Sequence, residues 1–142
     1  MNIKDFNLKD YMIHKPPMLL VDKVDEESEK KAKTSFTVSK ECIFLDENGV
    51  LARSALIEIA AQSFAAVDIY QRTVRARKLA KGFLVSVRDF KFTGSDAAAG
   101  DKIICSVEET SEIAHLHIVE AELSVNGTYI ASGELRIFEL QE

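Results

Sequence analysis

Ser54-Ala55-Leu56-Ile57-Glu58-Ile59-Ala60-Ala61-Gln62-Ser63-Phe64-Ala65-Ala66-Val67-Asp68-Ile69-Tyr70 is the stretch on which the fold turns. Leu56, Ile57, Ile59, Ala60, Ala61, Phe64, Ala65, Ala66, Val67 and Ile69 leave almost no polar stripe at helical spacing. A helix that is apolar nearly all round is buried nearly all round. Ala55, Ala60, Ala61, Ala65 and Ala66, with Ala52 just ahead, keep it slim enough for sheet residues to approach closely.

Working outward, the chain reads mostly as strands. On the N-terminal side, Phe6 to Ile13 suits a helical turn or two, ended by Pro16-Pro17, since residues before proline avoid the α region. Met18 to Val24 is an apolar run suited to a buried strand, and Asp25 to Lys31 a solvated turn. Thr34, Phe36 and Val38 alternate with Lys33, Ser35 and Thr37, as in a strand with one wet face.

On the C-terminal side, a basic connector from Arg72 to Lys81 leads into Phe83, Val85 and Val87, which share one parity, and Phe90 and Phe92, which share the other. That flip across Arg88-Asp89 predicts a bulge. Ile103, Cys105 and Val107 alternate within Lys102 to Glu108, and Leu116–Val125 and Thr128–Leu140 flank Asn126-Gly127, a strong hairpin signal. One buried helix followed by antiparallel strands predicts an α+β fold, a curved sheet wrapped around the helix. Phe36, Val38, Leu56, Ile59, Phe64, Val85, Phe92, Val119 and Leu135 are its expected core.

Length and composition narrow the class. The 142 residues suit one domain, 1–142, and the 46% apolar content is ordinary for a globular chain of this size. The net charge is −5 with scattered lysines and arginines, so no basic face is expected for nucleic acid. No run of about 18 apolar residues predicts a membrane span. The start, Met1 to Phe6, lacks the apolar stretch of a signal peptide, so the expected location is cytoplasmic. Cys42 and Cys105 have neither zinc-site nor disulfide-scaffold spacing and read as core or semi-buried thiols.

Few side chains are candidates for chemistry. Glu58 sits mid-helix among apolar neighbours, with Gln62 one turn later on the same face. Burial there would raise its pKa and suit a general acid; the plain alternative is a carboxylate at an exposed crack or subunit seam. His14 precedes the rigid Lys15-Pro16-Pro17 corner, and histidine is the side chain suited to act as a base or proton shuttle, although a lone histidine at a turn is more often structural. His115 and His117 lie two apart on a predicted strand without a third ligand nearby, so no metal is expected, and no cofactor either. The chain has no G-x-S-x-G, P-loop or G-x-G-x-x-G motif.

Three segments, in order along nearly the whole chain, carry a resemblance. His14-Lys15-Pro16-Pro17-Met18-Leu19-Leu20-Val21-Asp22-Lys23-Val24 resembles the "HR-x-P-hydrophobic-LLVD-R-V" opening of β-hydroxyacyl-acyl-carrier-protein dehydratases. Leu56 to Gln62 is similar to their helix segment "LI-x-E-x-x-AQ", and Phe83 to Phe92, then Ala99-Gly100-Asp101, to their "F…P-x-x-PGD" segment. The resemblance implies a hot-dog fold that pairs as a dimer, acyl-carrier-protein-bound acyl thioesters as substrates, and no cofactor. Its helix glutamate and glutamine carry over as Glu58 and Gln62; Glu58 with His14 is the expected catalytic pair, and Pro17, Gln62, Phe83 and Val85 are expected to line the substrate site.

One departure from the family pattern bears on function. The family's catalytic histidine lies in a "GHFP-x-x-P-x-x-PG" loop before the helix; here Phe44 to Arg53 is shorter and has neither histidine nor proline. Arg53 replaces the glycine at the helix entrance. The wording of this loop most resembles dehydratase-like proteins associated with aryl polyene synthesis. Losing one acid–base group typically costs roughly 10²–10⁴-fold in rate. Three functions remain open: a dehydratase acting alone through His14 and Glu58; a non-catalytic or half-catalytic subunit lending structure and Glu58 to a related dehydratase that retains its histidine; and a thioesterase, with Glu58 activating water, or an acyl-thioester-binding protein. The expected pairing is a homodimer or a heterodimer with a related hot-dog chain.

Overall fold

The computed structural model of the chain describes residues 2–140. Strands β1 (Lys23–Glu27), β2 (Lys31–Thr37), β3 (Lys81–Phe92), β4 (Lys102–Ile113), β5 (Leu116–Val125) and β6 (Thr128–Leu140) form a six-stranded sheet in the order β1-β2-β4-β5-β6-β3, antiparallel throughout. Helix α1 (Arg53–Val74) touches every strand, and the sheet curves around it. This is the expected hot-dog arrangement.

Alternation decides which side chains meet the helix. Ala32, Thr34 and Phe36 of β2, Ile103, Cys105 and Val107 of β4, Val119, Ala121 and Leu123 of β5, and Leu135 and Ile137 of β6 are buried against Leu56, Ile59, Ala60, Ala66 and Val67. The polar groups Thr34, Ser63 and Cys105 pair locally, whereas Ser35 Oγ of β2, also buried, has no hydrogen-bond partner. Thr34 Oγ1 and Ser63 Oγ lie 2.7 Å apart, and Cys105, hydrogen-bonded by Ser63, has its pKa pushed up by burial to about 12. An inert thiol is the result.

The helix is not covered evenly. Ile57, Glu58, Ala61, Phe64, Ala65 and Asp68 are only half-buried, and their three- and four-residue spacing makes them one stripe. The apolar pattern therefore predicted the helix but overestimated its cover along this face. Phe36, Val38, Leu56, Ile59, Val119 and Leu135 are core as expected, whereas Phe64 and Phe92 are half-buried. Val85, also expected in the core, is 56% exposed. Register shifts between Leu84 and Ser86, which leaves Val85 as the unpaired residue of an irregularity in a strand flanked only by β6.

The bulge expected at Arg88-Asp89 is present. Register shifts between Arg88 and Lys91, with Asp89 at φ 51°. Phe90 is thereby brought onto Gly133 of β6, where a Cβ would come within 2.3 Å of its ring. The β5–β6 hairpin turns at Asn126 and Gly127, both at positive φ, as Asn-Gly favours.

The Met18–Val24 strand and the Asp25–Lys31 turn need correction. The strand begins at Lys23 and runs to Glu27, and only Ser28 to Lys30 turns. Leu19, Leu20 and Val21 are buried outside the strand, with Leu19 N bonded to Lys15 O and the backbone on either side of Leu19 tied to α1. Gln62 Oε1 accepts from Leu20 N at 2.7 Å and Gln62 Nε2 donates to Met18 O at 3.0 Å. His115 lies in the β4–β5 turn rather than on a strand, so it does not share a strand face with His117.

Candidate functional site

The half-buried stripe of α1 forms one wall of a cavity of about 270 Å³. Glu58, Ala61, Gln62, Phe64, Ala65, Asp68 and Ile69 supply the helix side, and Met12, Ile13 and His14 roof one end. Ala80, then Gly82, Phe83 and Leu84 of β3, with Ile137 of β6, supply the rest of the lining. At 1.5 Å rise per residue, Glu58 and Asp68 stand roughly 15 Å apart along the axis. The lining is apolar between two carboxylates, as suits an elongated acyl group.

Gln62 organises the polar end. It is buried, and its side-chain amide is shared among Leu20 N, Met18 O and, at 3.0 Å, Glu58 Oε1. These bonds fasten the segment after the Pro16–Pro17 cis peptide to the helix and orient the carboxylate. His14 is thereby set beside the helix with its Nε2 3.6 Å from Glu58 Oε1. The two side chains remain 44% and 42% exposed, so Glu58 is a cavity-wall carboxylate open to solvent and not the buried acid read from its neighbours.

The other candidates are placed less uniformly. Phe83 lines the cavity and is 52% exposed, whereas the exposed Val85 and Pro17 stand outside its wall. Gln62 touches the cavity with its hydrogen-bonding capacity already committed to the chain. The 44–53 segment contributes nothing to the lining. Asp46 Oδ1 accepts from Asn48 N and Val50 N, at 2.8 and 2.9 Å, and a Leu45–Leu51 bridge closes the turn on itself. At the helix start, Ala52 provides no side-chain cap, and Arg53 is drawn off to Asp96 at 2.9 Å and over the Phe92 ring.

The sequence reading missed the far end of the cavity. Asp68 Oδ2 accepts from Arg72 Nε at 2.9 Å, and a second Arg72 nitrogen pairs with the buried Glu139. Burial raises the Asp68 pKa against the opposing pull of Arg72. Behind it, His117 packs on Phe64 with ring centroids 5.4 Å apart. Asp68 was findable, since it follows Glu58 and Ala61 on one helical face; Glu139 and Arg72 meet only through the fold.

The profile of the ApeP-like family, described as ApeP dehydratase, matches residues 6–142. No curated protein matches the chain. Among solved structures, the dehydratase heterocomplex ApeI:P from Xenorhabdus doucetiae is similar with a TM-score of 0.88 at 22% identity, over 96% of this chain and 93% of that one. A hypothetical thioesterase with coenzyme A from Streptococcus pneumoniae TIGR4 gives 0.67 at 10% identity, over 84% and 89%. The protein smu.793 from Streptococcus mutans UA159, bound to acetyl CoA, gives 0.70 at 9%, over 93% and 98%. Identities this low establish the shared fold, and the family match over nearly the whole chain establishes the rest: the chain belongs to the ApeP-like dehydratase family.

Proposed function

We propose that the chain is the partner subunit of a 3-hydroxyacyl-acyl-carrier-protein dehydratase, contributing the cavity, Glu58 and His14 to a site completed by a related hot-dog chain that carries the catalytic histidine. One observation carries this reading: the cavity that holds Glu58 is walled by the start of β3, an unpaired sheet edge with Phe83, Leu84, Val85 and Val87 exposed. Such an edge invites another strand. The heterocomplex composition of the similar ApeI:P structure supports a mixed pair over a homodimer.

Dehydration needs a base for the α-proton and an acid for the departing hydroxyl. Glu58, oriented by Gln62 and open to the cavity, is the acid that protonates the hydroxyl as it leaves as water. His14 sits beside it as the group that restores its proton. The base comes from the partner, because the pre-helix segment that carries it in the β-hydroxyacyl-acyl-carrier-protein dehydratases here has no histidine and does not line the cavity.

Dehydration of 3-hydroxyacyl-carrier thioesters by the chain alone, by a histidine-bearing relative alone and by the two co-purified tests this. The mixed pair is expected to exceed this chain alone by roughly 10²–10⁴-fold. Val85→Lys should weaken the pairing in sedimentation without unfolding the chain. Full turnover by the chain alone would make it an autonomous dehydratase. Hydrolysis of acyl thioesters without dehydration would make it a thioesterase using Glu58 to activate water.

A further inference from the structure

A second polar cluster lies outside the cavity, at the sheet end beyond the C-terminal half of α1. In β4 the register shifts between Glu109 and Ser111, so that Glu109 pairs with Val119 and Glu112 pairs with His117. Residues 109 and 112 have opposite parity and would ordinarily point to opposite faces. The bulge at Thr110 puts both carboxylates on the inner face, beside His117. Re-aiming a side chain in this way is a common use of a bulge.

The three residues converge closely. One ligand atom from each of Glu109, Glu112 and His117 lies within 4.8 Å of the other two. His117 Nδ1 meets Glu109 Oε1, and His117 Nε2 is 3.7 Å from Glu112 Oε1. The histidine side chain is only 9% exposed. Glu139, held by Arg72, lies 3.9 Å from His117 Nε2, the nitrogen that also faces Glu112. Lys30 reaches Glu109 Oε2 at 3.5 Å, but no lysine or arginine pairs with Glu112 among the described residues. Lys30 and Arg72 offset Glu109 and Glu139, and a bound cation would offset Glu112 in the same way.

We propose that Glu109, Glu112 and His117 bind one divalent transition-metal cation of the zinc type, clamping the end of the β4–β5 hairpin. An imidazole with two carboxylates suits zinc and its neighbours better than magnesium or calcium, which favour all-oxygen shells. Ligands about 2.1 Å from a tetrahedral cation stand roughly 3.4 Å from one another, so small rotamer changes close the observed cluster around an ion. The site is independent of the dehydratase reading and does not enter its chemistry.

Titration of the full chain with Zn²⁺, followed by calorimetry and thermal unfolding, tests the proposal without any activity assay. One equivalent should bind and raise the melting temperature, whereas Mg²⁺ at the same concentration should do neither. Glu112→Gln, at an exposed position, should leave the metal-free melting temperature unchanged and weaken Zn²⁺ binding at least tenfold; His117→Gln should abolish it. His14→Asn should leave the affinity intact, since His14 and Glu58 form the alternative place for the ion. Three results would overturn the site: no saturable binding, binding untouched by Glu112→Gln, or binding lost with His14. Glu112→Gln decides the matter even if the buried His117 variant fails to fold.

Discussion

Two polar groups of residues sit along one face of α1, and the same residue types behave differently at its two ends. At the Glu58 end, a carboxylate and a histidine lie 3.6 Å apart, each nearly half exposed, with Gln62 as the orienting neighbour. At the Asp68 end, Arg72 joins Asp68 to a Glu139 that is almost wholly buried, with His117 packed behind. Burial fixes the second group, because charges taken out of water must keep their partners. The first keeps access to the cavity and to solvent, which an acid that meets a substrate requires. On the proposed function, the difference separates the group that does chemistry from one that holds structure.

The sharpest test of this contrast is at Glu58. Glu58→Gln should lower dehydration by the mixed pair roughly 10²–10⁴-fold, the usual worth of an acid–base group, while the urea midpoint of the chain stays put. A stability change with activity intact would place Glu58 with the structural group. The reverse is expected at the other end. Arg72→Met removes the guanidinium from Asp68 and Glu139 and should cost about 3 kcal/mol in urea unfolding, near the low end for breaking a buried pair.

Phe64 stands between the two groups, facing the cavity and touching His117. Full burial would make Phe64→Ala cost about 3–5 kcal/mol. Half-buried beside an existing cavity, it should cost about 2 kcal/mol, because less contact is lost when the space already exists. A loss of the full amount would show that the cavity closes in solution.

The smallest effect concerns Asp68 and pH. Its pKa is raised by burial, so the folded chain holds that proton more tightly than the unfolded chain does. Stability from this group is therefore greatest below its unfolded value, near 3.8, and declines as pH rises through the folded value. Asp68→Asn should leave the chain slightly more stable than the parent at pH 7, with the gain vanishing at the acid end of the window. Urea midpoints across that range provide the check; a parent chain more stable than the variant at neutral pH would mean that the Arg72 bond outweighs burial.

Local pattern alone determined much of this protein. The apolar run from Leu56 to Ile69 specified a long helix enclosed by sheet, Asn126-Gly127 specified the last hairpin, and the parity change at Arg88-Asp89 specified the bulge. Glu58 and Gln62 were placed on one face because i and i+4 always are. These are consequences of helix and strand periods, which act over a few residues and are written in order along the chain. Tertiary structure alone decided that His14 faces Glu58, since Gln62 draws the Met18–Leu20 backbone onto the helix. It also decided that Val85 is exposed, because parity tells which face a residue takes but not whether a neighbour covers that face. The meeting of Glu109 and Glu112 at His117 required both a bulge within β4 and the register of β5 against it. Long-range pairing and solvent cover are properties of the assembled sheet, and no stretch of sequence contains them on its own.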